Sequence, residues 1–184
     1  MRLRNQLFWI AAISGLLLDQ LTKRWVVKTF ELTTPPESTA LWPGVFHFTY
    51  VTNTGAAFSL FSNNGEWLRW LSLLVSLVLI LVGLLVPFVN RWEKAGYGLI
   101  LSGALGNGID RFFNGEVVDF LDAQFFDIPM LFFRGGAIEF QWLDFPIFNV
   151  ADVCINVGIV CLLIAALRDS SPQNGNGSSQ TQKR

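Results

Sequence analysis

The chain has 184 residues, of which 52% are apolar and only 15% charged, with a formal net charge of −1. A soluble domain carries roughly a quarter charged residues, so the composition argues for a bilayer as solvent. No basic block or aromatic-basic interleaving is present, and nucleic-acid binding is set aside.

Met1-Arg2-Leu3-Arg4 leads into an apolar stretch from Leu7 to Leu18. This has the outline of a secretory signal peptide. It runs on, however, into Asp19-Gln20-Leu21-Thr22-Lys23-Arg24 with no small-x-small cleavage site, which predicts an uncleaved first span over 7–27. Residues 28–66 form a polar connection. Thr34-Pro35-Pro36 stops any helix there, and the β-branched and aromatic run Val45 to Val51 predicts short strands at the membrane surface. A second span is expected over 67–89: Leu71 to Val89 holds no charge, and its length as a helix is about 28 Å, close to a bilayer core. The third, over 95–113, is rich in small residues (Gly96, Gly98, Gly103, Gly106, Gly108), which lets helix backbones approach closely. A second polar and aromatic connection, 114–146, precedes a fourth span over 147–167. The Ser/Gln/Asn/Gly segment 170–184 has nothing to bury and is expected to be a disordered cytoplasmic tail.

The expected architecture is an all-α membrane protein: one domain of four transmembrane helices over 1–169, with a small extracytoplasmic β element in the first connection. Both termini then share a side. Arg2, Arg4, Arg91, Lys94, Arg168, Lys183 and Arg184 fall on it, against Lys23, Arg24, Lys28, Arg69, Arg111 and Arg134 on the other. The totals barely differ, but the first set is denser and closer to span ends, which puts the termini in the cytoplasm.

Polar residues in a span cost about 2.5–3.5 kcal/mol for Asp, so each asks for a reason. Asp19 and Lys23 are i and i+4 on one helix face, and read equally as a snorkelling interfacial pair or as part of a site. Asn53-Thr54-Gly55-Ala56-Ala57-Phe58 suggests a tight turn packed against something. Asn107 and Arg111 share a helix face at the end of the third span, where Asp110 fits a helix-end cap. Asp119 sits between Val117-Val118 and Phe120-Leu121. Asp152 lies about 7–8 Å inside a fourth helix starting near Ile147, too deep for capping to account for it. All these residues fall at one end of the bundle.

Two carboxylates at one depth, with amides and an arginine nearby, share a proton and divide acid and base roles. No Ser-His or Cys-His pair competes: His47 is the single histidine, and Cys154 and Cys161 are expected to be buried structural thiols out of disulfide reach. No metal-ligand spacing appears, and no cofactor is expected. Aspartyl-type hydrolysis is the machinery left.

Asp19-Gln20-x-x-Lys23, Asn53-Thr54-Gly55-Ala56-Ala57-Phe58, Gly106-Asn107-x-x-Asp110-Arg111, Val117-Val118-Asp119-Phe120 and Phe148-Asn149-x-Ala151-Asp152, in this order over four spans, resemble the bacterial lipoprotein signal peptidases, or signal peptidase II. The resemblance implies an intramembrane aspartyl endopeptidase of the bacterial inner membrane, with its active site near the extracytoplasmic face. Such enzymes cut signal peptides from prolipoproteins just before a diacylglyceryl-modified cysteine, and are targets of globomycin. It also implies Asp119 and Asp152 as the catalytic dyad. Asn53, Asn107, Arg111 and Asn149 would line the site, with Asp19 and Lys23 as support. Two departures stand out. Val153 occupies a position where the family commonly has Ser, and the 120–146 connection is longer than usual, its aromatics suited to lying on lipid or to covering the site. The competing reading is a small transporter or channel subunit with an aspartate proton relay. That needs charges spread across the membrane depth, and the cytoplasmic halves of the four spans carry no acidic residue.

Overall fold

The structure is a computed structural model that describes residues 5–55, 66–124, 127–134 and 137–169. Its helices are α1 (Gln6–Thr29), α2 (Glu66–Leu85), α3 (Arg91–Phe113) and α4 (Val150–Asp169); its strands are β1 (Ser38–Trp42), β2 (Phe46–Asn53), β3 (Val117–Ala123), β4 (Asp127–Arg134) and β5 (Ala137–Asp144). Each helix is about 30–36 Å long. Two segments, Trp67–Leu85 and Val150–Arg168, are long and apolar enough to cross a membrane, with mean hydropathies of 2.4 and 2.5. α1 is less apolar because it carries Asp19 and Lys23, and these are 0% and 3% exposed, whereas Ile10, Ile13, Leu17, Leu18 and Leu21 are each more than half exposed. Charge inside and hydrocarbon outside is the reverse of a water-soluble helix.

α3 is the central element and packs against the other three helices. Its glycines make that possible. A Cβ on Gly96 would lie 2.8 Å from the backbone carbonyl oxygen of Gly158, and one on Gly103 would strike the Ala151 carbonyl oxygen. Away from the sheet, Phe8, Leu79, Phe88 and Leu101 form one apolar core; beside the sheet, Val26, Val118 and Phe120 form another, with Phe30 and Phe48 against it.

The chain is mostly helical, as expected, and its small β element is larger than expected: a three-stranded antiparallel sheet in the order β1-β2-β3, with β4 and β5 forming a separate hairpin. The first connection supplies β1 and β2 as anticipated, but β3 comes from the second. β3 forms because its residues Val117 to Phe120 are buried, and a buried segment outside a helix needs a backbone partner, here β2. The sheet then extends to the entry of α4. Leu121 and Phe148 form an antiparallel bridge: Leu121 N–H donates to the Phe148 carbonyl at 2.7 Å and Phe148 N–H to the Leu121 carbonyl at 3.0 Å. That pairing holds Phe148 extended, so α4 begins at Val150 and not near Ile147.

Other boundaries shift for local reasons. α2 stops at Leu85 and not Val89, because Pro87 disfavours helical backbone at the residue before it. The Asn5 side-chain amide donates to the freed carbonyls of Gly83 at 2.8 Å and Val86 at 2.7 Å, satisfying acceptors that hydrocarbon would leave bare. α3 starts at Arg91 because the Asn90 side chain accepts the Trp92 N–H at 2.9 Å as an N-cap. The tail 170–184, Ala56-Ala57-Phe58 and Gly135-Gly136 lie outside the described residues.

Candidate active site

Asp119 is delivered by β3, opposite Val51 on β2. Asn53, two residues further along β2 and on the same face, donates its side-chain N–H to Asp119 Oδ2 at 3.2 Å. Asp152 is delivered by the first turn of α4. There Asn149 is the N-cap: its Oδ1 accepts the Asp152 N–H at 3.1 Å, while Asp152 Oδ2 accepts the Asn149 backbone N–H at 3.1 Å. This is the reciprocal geometry of a capping box. Capping therefore does account for the position of Asp152, against the sequence expectation, since a helix starting at Val150 makes it the third helical residue.

The two carboxylates meet through Asn149. Its Nδ2 donates to Asp119 Oδ1 at 2.6 Å, while its backbone N–H holds Asp152. Asn107 on α3 donates Nδ2 to Asp152 Oδ1 at 2.9 Å, so both oxygens of Asp152 accept from fixed N–H groups. The orientation of the Asn107 amide is forced, because its Oδ1 accepts from Lys23 Nζ at 2.8 Å and from Asn149 Nδ2 at 3.0 Å. Burial pushes the Asp119 carboxyl up to about 7 and the nearby charge of Asp152 adds to this, while the amides of Asn53 and Asn149 and the charge of Lys23 pull it partly back.

A layer of charge lies behind. Lys23 Nζ pairs with Asp19 Oδ2 at 3.0 Å and Asp110 Oδ2 at 2.8 Å. With Asn107 as the third partner, all three ammonium donors are used. Asp19 Oδ1 accepts the Ala151 N–H at 2.9 Å, which ties α1 to the first turn of α4. Lys23 is 3% exposed and does not snorkel. Asp110 is likewise no mere helix-end cap: it is buried, and besides Lys23 it accepts from Gln20 Nε2 at 3.2 Å.

Asn53, Asn107, Arg111, Asp119 and Asp152 line one cleft of about 440 Å³, with Val153 and Phe148 among its apolar walls. Arg111 Nη2 donates to the Gly55 carbonyl at 2.9 Å, and its Nε is buried with no partner among the described residues. The eight candidate site residues thus lie in one assembly: six are the carboxylates and the side chains beside them, and Asp19 and Lys23 lie behind. Gln20 and Asp110 fall within the sequence motifs, but sequence reasoning gave Gln20 no role and read Asp110 as a helix-end cap. Asp110 is three residues from Asn107 on the same helix face, and that spacing was the available signal.

The residues match the signal peptidase (SPase) II family over 11–168. The lipoprotein signal peptidase of Cyanothece sp. (strain PCC 7425 / ATCC 29141) is 60% identical over 166 residues, covering 90% of this chain and 86% of that protein. That of Thermosynechococcus vestitus (strain NIES-2133 / IAM M-273 / BP-1) is 56% identical over 165 residues, covering 90% and 94%. A bacterial membrane enzyme solved by the in meso method at 2.3 Å resolution superposes with a TM-score of 0.71 at 28% identity, covering 95% of this chain and 93% of that one. The fold is that of a bacterial membrane enzyme with a carboxylate-lined cleft. The chain belongs to the signal peptidase II family, and its activity is that of a peptidase.

Proposed function

We propose that this peptidase is an aspartyl endopeptidase that removes signal peptides from diacylglyceryl-modified prolipoproteins, with Asp119 and Asp152 as its catalytic pair. The observation that carries the proposal is that Asn149 holds one oxygen of each carboxylate, Asp119 by its side-chain amide and Asp152 by its backbone N–H. In this mechanism the buried Asp119 keeps a proton, and the half-buried Asp152 is the base that takes a proton from water. The water oxygen attacks the scissile carbonyl, whose oxygen takes the proton of Asp119. The tetrahedral intermediate then collapses: one of its hydroxyl protons returns to Asp119 as the C=O re-forms, the C–N bond breaks, and the proton held by Asp152 passes to the leaving amine of the modified cysteine.

Asn107 and Asn149 spend their amides on the dyad and on each other, which suits them to positioning the acids. Arg111 has an uncommitted buried Nε in the cleft wall and is the side chain best suited to bind the unwound substrate backbone. Asn53 would act through Asp119. The four helices are read as four spans with both termini cytoplasmic and the dyad at the extracytoplasmic end of an inner-membrane bundle; globomycin-type peptides would compete for the cleft. The test is purified chain incubated with a prolipoprotein in modified and unmodified form. The expected result is a single cut just before the lipid-bearing cysteine, in the modified form only. Proton flux without cleavage would favour the relay reading.

A further inference from the structure

A second cavity, of about 410 Å³, opens between the sheet-facing ends of α1 and α3, and its wall includes Gln20, Lys23, Arg24, Lys28, Asp110 and Asn114. Arg24 and Lys28 are i and i+4 on α1, so they project together. Both are exposed, and neither makes a hydrogen bond or ion pair among the described residues. Among the described residues the one acid of the wall, Asp110, is already committed to Lys23 and Gln20, so the cavity carries three cations against one anion, with Arg24 and Lys28 unpaired. Gln20 and Asn114 add amides, and Val27 and Phe113 bring apolar wall, with Phe113 82% exposed.

The position along α1 is informative. Arg24 lies eighteen residues after Gln6, about 27 Å along the helix, or roughly one hydrocarbon thickness. Trp25 stands beside it, 45% exposed, and edges onto Phe30 and Phe48 of the sheet side. Tryptophan at that level marks a membrane–water interface. On the extracytoplasmic face, basic residues run against the orientation rule, so two unpaired cations held over a cavity there call for a partner.

We infer that this cavity binds the phosphate headgroup of an anionic phospholipid, held by Arg24 and Lys28, with the glycerol and acyl chains against Val27 and Phe113. The inference rests on the four-span reading for the level of the cavity, and is independent of the identity of the peptide substrate. The site shares Lys23 and Asp110 with the layer that orients Asn107 and, through it, Asp152. An occupied headgroup site would therefore brace the catalytic end of α1 against α3.

The test uses the full chain in detergent, with phosphatidylglycerol and phosphatidylcholine compared by native mass spectrometry, and Arg24→Gln/Lys28→Gln as the variant. Phosphatidylglycerol is expected to be retained in preference. The double variant should lose roughly thirty-fold in that affinity, about fivefold for each cation at an anionic surface, without a change in Tm. Arg24→Lys/Lys28→Arg should keep the preference. Inorganic phosphate at millimolar concentration should not displace the lipid; displacement would identify a small-anion site and overturn the lipid assignment. Equal retention of the two lipids, or an unchanged preference in the double variant, would also overturn it. The readout is binding, so it stands whether or not the chain cleaves prolipoproteins.

Discussion

Asp119 and Asp152 differ in what surrounds them, and that difference supports the division of labour proposed for them. Asp119 is 3% exposed on a strand between apolar neighbours, and its carboxyl is held near pH 7 by burial first and by the charge of Asp152 second. At neutral pH it keeps its proton for a substantial part of the time, as the proposed acid role requires. As pH rises through about 7 that proton is lost, and a second anion is forced beside Asp152. The expected kcat/KM therefore falls above pH about 7, approaching tenfold per unit, and a profile flat to pH 9 would remove Asp119 from the acid role. That Asp119 belongs to a site was legible in sequence, because a carboxylate amid Val117-Val118 and Phe120-Leu121 has no solvated explanation, and the structure places it with Asp152 in one cleft. The role of Asp110 was not, because its partner Lys23 is on another helix and only packing brings them together.

At the scale of elements, the site exists because α3 has almost no side-chain thickness where its neighbours cross it. Gly106 is the sharpest case: an added Cβ would collide with the carboxylate of Asp19, whose Cγ would be 3.0 Å away. Asp19 has no free volume to retreat into, since it is 0% exposed and holds both Lys23 and the Ala151 amide. Gly106→Ala is expected to destabilise the protein by about 1–3 kcal/mol and to lower Tm, whereas Leu21→Ala, on the outward face of α1, should change Tm little. Equal Tm values for the two variants would argue against this close approach. The abundance of glycine in the third span announced tight packing from sequence alone. The pairing of β3 with β2 did not announce itself, because Val117–Ala123 is buried on both faces and its apolar and acidic residues do not alternate. The α2 boundary was available in Pro87 and was overlooked in favour of the length of the apolar run.

For the whole molecule, polar chemistry is gathered at one end and hydrocarbon covers the sides. The opposite end is closed by Asn5 on the last carbonyls of α2 and by Arg91 and Arg168 over the ring of Trp92. These cations share that end with Asn5 and Asp169, where α1 begins and α4 ends, and their density there supports the proposed assignment of that end to the cytoplasm. A reporter fused after Arg168 should read cytoplasmic, and one inserted near Glu139 extracytoplasmic; interchanged signals would put the carboxylate cleft on the wrong face for exported substrates.

The central claim is that two carboxylates act as one unit, and single amide substitutions test it most directly. Asn is nearly isosteric with Asp, so Asp119→Asn and Asp152→Asn should insert and fold while losing the acid–base pair. Cleavage of a modified prolipoprotein is measured for each single variant and for the double, alongside Tm. The expected result is a loss of about a thousandfold or more in kcat for each single variant, with the double no worse than either. Substantial turnover by either well-folded single variant would contradict the aspartyl pair.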